Sequence, residues 1–182
     1  MTGGREKLSH PVRPLVYAGV CLCLALVLPF LTGQLPSVGS ALCPMHLPVL
    51  LAGFLCGPWW GLAVGAVAPP LRSVLFGAPP MFPKAVSMAF ELATYGLVSG
   101  LLYRALPKRP WGVWTALAAA MLAGRLVWGC VMTVLAGVSE ISFGWAAFWT
   151  GGFAGAVPGI ALQLALIPPI ALALKRSGLS DG

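Results

Sequence analysis

The run KAVSMAFELATYGLVSGLLYRAL, residues 84–106, decides what kind of protein this is. It starts on Lys84, carries Arg104 near its end, and holds one charge between them, Glu91. A helix needs roughly 20 mostly apolar residues to cross a bilayer, and this run has both the length and the flanks. Comparable runs lie on either side of it, at 15–31, 44–56, 58–76, 111–136 and 144–175. Together they predict an all-α integral membrane protein: a compact bundle of six transmembrane helices forming a single membrane domain over 1–182. Of the 182 residues 59% are hydrophobic and 8% charged, and mean hydropathy is +0.92. A soluble domain carries about 25% charged residues, so an ordinary water-facing surface is excluded.

Proline pairs should punctuate this pattern. Pro69-Pro70 is expected to break or kink the third helix, and Pro158-Gly159 and Pro168-Pro169 to interrupt the sixth. Helix–helix packing is signalled by small residues four apart: Gly61 with Gly65, Gly96 with Gly100, and Ala120 with Gly124. Arg5, Lys7 and Arg13 precede an apolar run as in a signal peptide, but the run is read as a retained first helix.

The basic residues set the orientation. Arg5, Lys7, Arg13, Arg104, Lys108, Arg109, Lys175 and Arg176 all fall on one side of a six-helix bundle, opposite Glu140 and Lys84. The excess of Lys and Arg marks the cytoplasmic side, so both termini are expected there. Orientation and lipid headgroups account for the formal charge of +7, and no nucleic-acid partner is expected.

Polar groups inside apolar helices carry the functional signal, because a charge near the bilayer centre costs at least ~2.5–3.5 kcal/mol. At 1.5 Å per residue, Glu91 and Arg125 lie roughly 10 and 17 Å below the outer surface. They either pair with each other or line one outward cavity and contact a ligand, and the two readings are compatible. Tyr95 follows Glu91 by four residues and Trp128 follows Arg125 by three, so each helix shows an aromatic beside a charge. Arg72, Lys84 and His46 lie toward the same outer end. Gln163 follows the expected Pro158-Gly159 break. These eight residues are the candidate ligand contacts. Cys21, Cys23, Cys43, Cys56 and Cys130 have no metal-ligand spacing and are read as packing residues, with Cys43 in an external loop. There is no phosphate-binding G-x-x-x-x-G-K-[ST] and no catalytic motif. Neither an enzyme, a metal nor a cofactor is expected.

The order of several segments resembles the substrate-binding S components of energy-coupling factor (ECF) vitamin transporters. They are Met45-His46-Leu47-Pro48-Val49-Leu50-Leu51-Ala52-Gly53-Phe54, Cys56-Gly57-Pro58-Trp59-Trp60-Gly61, Pro69-Pro70-Leu71-Arg72, Met81-Phe82-Pro83, Ala89-Phe90-Glu91-Leu92-Ala93-Thr94-Tyr95-Gly96 and Val157-Pro158-Gly159-Ile160-Ala161-Leu162-Gln163. The resemblance covers nearly the whole chain. It implies a multi-pass subunit of a bacterial or archaeal cell membrane. Such a subunit binds a vitamin or precursor at the outer face and docks on a transmembrane coupling protein with two ATPases. Arg125 or Arg72 suits a carboxylate such as pantothenate; Glu91 suits a hydroxyl or ring-nitrogen donor, as on a pyrimidine precursor. Family members carry an A-x-x-x-A docking face on the first helix. Here Ala18, Cys21 and Ala25 stand in for it, with Cys21-x-x-x-Ala25 and Gly19-x-x-x-Cys23 at that spacing. The alternative is a self-sufficient small-solute transporter or channel.

Overall fold

A computed structural model describes residues 12–31, 42–106, 110–139 and 143–176. Arg5, Lys7, Lys108, Arg109 and Glu140 lie outside them. The elements in chain order are α1 (Val12–Leu31), α2 (His46–Cys56), α3 (Pro58–Phe76), a π-turn (Met81–Ala85), α4 (Val86–Ala105), α5 (Pro110–Ser139), α6 (Trp145–Gly152), a 3-10 turn (Ala154–Ala156) and α7 (Val157–Arg176). All regular structure among the described residues is helical. Counting α6 and α7 as one interrupted stretch, these elements make six helices among the described residues.

Among the described residues, four stretches are long and apolar enough to cross a bilayer by themselves: Val12–Leu31, Met81–Ala105, Trp111–Val138 and Trp145–Leu174. α2 has 11 residues, about 16 Å at 1.5 Å per residue, too short to cross roughly 30 Å of hydrocarbon unaided. α3 is not among the four either.

Gly57, at φ 95°, turns the chain back between α2 and α3. α3 then runs antiparallel against α4 with almost no space between the backbones. A Cβ on Gly61 would sit 2.6 Å from the Gly96 carbonyl oxygen, and one on Gly100 would sit 2.6 Å from the Pro58 nitrogen. The four glycines that sequence spacing singled out thus line one seam. We call the end where α2 and α4 begin and α5 finishes the upper end.

The breaks expected at Pro69-Pro70 and Pro168-Pro169 are absent, whereas the interruption expected near Pro158-Gly159 is present just upstream of it. α3 runs through Pro69 and Pro70 without interruption, and α7 runs through Pro168 and Pro169. Each proline removes one backbone donor, but neighbouring helices hold the element together. The interruption of the last stretch lies upstream of Pro158, at Phe153 (φ −123°, ψ −63°) and the 3-10 turn after it. Pro158 occupies the first turn of α7, where its missing N–H has no intrahelical partner to lose.

Two apolar clusters hold the bundle. One joins α1, α2, α3 and α4 through Ala18, Cys21, Ala25, Val49, Ala52, Val64, Ala68 and Leu92. The expected docking residues Ala18, Cys21 and Ala25 are therefore turned inward, and at the outward face of α1 stand Gly19 and Cys23. The second cluster joins α2, α4, α5 and α7 through Leu50, Phe54, Tyr95, Leu117, Met121 and Ile167.

Candidate functional site

A polar layer lies one helical turn above this second cluster. Leu50, Tyr95, Met121 and Ile167 all belong to the cluster. Moving four residues toward the upper end from each gives His46, Glu91, Arg125 and Gln163. For α7 the direction follows from its approach: Gly151 and Gly152 lie against the Trp128 ring, above Arg125, and the chain has reached the cluster by Ile167. Gln163 comes between those levels. All four polar residues are buried, none more than 6% exposed.

Glu91 is the centre. Its Oε1 accepts a hydrogen bond from the Tyr95 hydroxyl at 3.1 Å and an ion pair from Arg125 Nη1 at 3.0 Å. His46 Nε2 stands 3.5 Å from the same oxygen, too far for a good hydrogen bond. The His46 and Tyr95 rings are 5.3 Å apart. Tyr95 reaches Glu91 because residues four apart share a helix face. Arg125 reaches it because its neighbour Gly124 has no side chain: a Cβ there would run into the Tyr95 ring and stand 3.1 Å from the Glu91 carbonyl oxygen.

Cys43, expected in an external loop, lies in the turn before α2 and is buried, with Sγ 3.9 Å from Arg125 Nη2. Its backbone is left-handed at φ 47°, and its carbonyl accepts the His46 N–H at 3.0 Å, so this turn aims His46 downward into the layer. Burial pushes the Cys43 thiol above its ordinary pKa, against the opposing pull of Arg125. Nothing in one sequence signals this placement beyond the three-residue spacing to His46.

Several polar atoms in the layer have no hydrogen-bond partner: both ring nitrogens of His46, Nε of Arg125, and both amide atoms of Gln163. Buried polar groups are nearly always satisfied, and each one left unmet costs about 1–3 kcal/mol. Two of these side chains, His46 and Gln163, stand beside the Glu91–Arg125 ion pair, and the third belongs to it.

The other candidates are engaged elsewhere. Arg72 donates from Nη1 to the Leu26 carbonyl on α1, with its guanidinium 4.9 Å from the Phe30 ring and 5.5 Å from that of Phe76. Trp128 packs on α6, stacked on Phe148 at 6.3 Å and edge-on to Phe143 at 5.6 Å. Lys84 is exposed on the π-turn, where its carbonyl accepts from the Ser87 hydroxyl at 3.0 Å. Among the described residues, no three His, Cys, Asp or Glu side chains gather as metal ligands.

Comparison with known proteins adds a family to this geometry. No curated protein and no solved structure matches the chain. The family described as "ECF transporter, substrate-specific component" matches over residues 13–171, a span that takes in the whole polar layer and the helices that carry it. A multi-pass helical chain with a buried, incompletely satisfied polar layer suits that description, and the protein belongs to the substrate-specific components of ECF transporters.

Proposed function

We propose that the chain captures a vitamin or vitamin precursor at the outer face of a bacterial or archaeal cell membrane. It hands the ligand to an energising module of one transmembrane coupling protein and two ATPases. The observation that carries this reading is the layer of His46, Glu91, Arg125 and Gln163, with Tyr95 bonded to Glu91, in which buried donors and acceptors await partners. A plain lipid-spanning bundle gains nothing from such groups, and each one costs stability.

In this reading the upper end faces outward and all six helices cross the membrane, α2 and α3 being shielded by α1 and α4. α1 begins and α7 finishes at the lower end, and Arg13 and Arg104 also lie there. This arrangement supports cytoplasmic termini by the positive-inside rule. The coupling protein docks on the outward face of α1, where Gly19 and Cys23 stand. An open apolar groove of about 190 Å³ runs there between α1 and α3, lined by Leu15, Ala18, Gly19, Trp60 and Val64 among others.

Reconstitution tests the reading. In liposomes the purified chain alone should accumulate no vitamin, and adding an ECF module with ATP should produce uptake. Uptake by the chain alone would mark a self-sufficient transporter and end the subunit reading.

A further inference from the structure

We infer that the captured ligand is an uncharged polar molecule presenting a hydrogen-bond donor beside an acceptor, as an amide, a lactam or an amino-substituted nitrogen heterocycle does. This rests on the capture reading and narrows it.

The carboxylate and the guanidinium of the layer already balance each other, Glu91 and Arg125 meeting at 3.0 Å. A carboxylate or phosphate entering it would stand beside buried Glu91, and like charges repel strongly where water does not screen them. One guanidinium cannot neutralise both the newcomer and Glu91.

The other cations are placed elsewhere. The Arg72 guanidinium is bound to the Leu26 carbonyl and lies against Phe30 and Phe76. Lys84 is exposed on the π-turn. Neither stands in the layer to meet an acid.

The unmet atoms specify the complement. Gln163 offers an amide N–H₂ and an amide oxygen side by side. The two ring nitrogens of His46 are unmet as well, and Arg125 Nε offers one further N–H. Donors and acceptors are therefore both waiting, and the paired edge of Gln163 matches a ligand edge with the same pairing reversed.

The test compares wild-type protein with Gln163→Leu and, as a gentler variant, Gln163→Met. Both are purified in detergent from the same host membranes and checked for folding by thermal unfolding. Small molecules released on denaturation are identified by mass spectrometry. The expected result is one enriched compound, uncharged at neutral pH, with an amide or amino-heterocycle edge. Its occupancy should fall about tenfold or more in the variants, the loss expected for two hydrogen bonds. An enriched carboxylate or phosphate compound would overturn the ligand class while leaving capture standing. So would a neutral compound held equally by the Gln163 variants. A wild-type protein that retains nothing overturns capture itself, and the ligand class with it.

Discussion

Arg125 Nη1 meets Glu91 Oε1 at 3.0 Å with both side chains nearly closed off from water. Removing one member of a buried pair leaves an uncompensated charge and costs about 3–5 kcal/mol, whereas replacing both with apolar groups of similar size is often nearly neutral. Glu91→Leu and Arg125→Met should therefore each lower thermal stability in detergent sharply, and the double variant should recover much of the loss. Strictly additive losses in this double-mutant cycle would show that the two residues do not act as a pair.

The Tyr95 hydroxyl donates to Glu91 while its ring lies over Gly124. The two roles separate by substitution. Tyr95→Phe keeps the ring and loses one hydrogen bond to a charged acceptor, about 1.5–3 kcal/mol. Gly124→Leu forces a side chain into the ring's space and pushes α5 from α4, the overpacking fault that costs about 1–3 kcal/mol or more. It also draws Arg125 from Glu91. Chemical unfolding should rank Gly124→Leu as the more damaging of the two, and the reverse order would contradict the packing described.

Arg72 and Arg125 are the two arginines buried in the described part of the bundle, and their environments predict opposite phenotypes. Arg72 straps α3 to α1 through the Leu26 carbonyl and the Phe30 and Phe76 rings. Arg72→Met should lower stability by roughly 1–3 kcal/mol, from one charged hydrogen bond and two cation–π contacts, while ligand occupancy holds. Arg125→Met should lose the ligand as well. Equal loss of ligand in both variants, measured on protein confirmed to be folded, would bring Arg72 back into the site.

These contrasts also show what one sequence could reveal. The all-helical build was legible in hydropathy, and the α3–α4 seam in the spacing of Gly61, Gly65, Gly96 and Gly100. Depths of roughly 10 and 17 Å for Glu91 and Arg125 left pairing and a shared cavity both open, because helical rise fixes only height along the bundle axis. Height does not fix azimuth. Arg72 sits in an upper turn of α3 whichever way it points, and only the position of α1 decides that it meets Leu26. Trp128 shares a helix with Arg125, yet the Phe143–Phe148 ring cluster holds it against α6. The proline pairs at 69–70 and 168–169, expected as breaks, misled for a related reason. A proline deletes one donor locally, and whether the helix then yields depends on its neighbours. The stretch gave way at Phe153, outside any proline, while Pro69-Pro70 and Pro168-Pro169 stayed helical.

The outward face of α1 gives a prediction about partnership rather than ligand. A Cβ built at Gly19 meets nothing within 4 Å, so a large side chain there leaves the isolated fold alone. Gly19→Phe should change the stability of the purified chain by no more than about 0.5 kcal/mol, the usual range for a surface site. The ring would nevertheless fill the α1–α3 groove that Gly19 lines with Leu15, Ala18, Trp60 and Val64. A partner helix seated there would then be held away from the backbone, which is the close approach that small residues permit between membrane helices. Affinity capture from membranes carrying the energising module should therefore recover at least about tenfold less module with Gly19→Phe, a loss near 1.4 kcal/mol. Ligand release from the same variant should match wild type, because the polar layer lies among α2, α4, α5 and α7 and not on α1. A variant that still captures the module at the wild-type level would move the docking surface off α1.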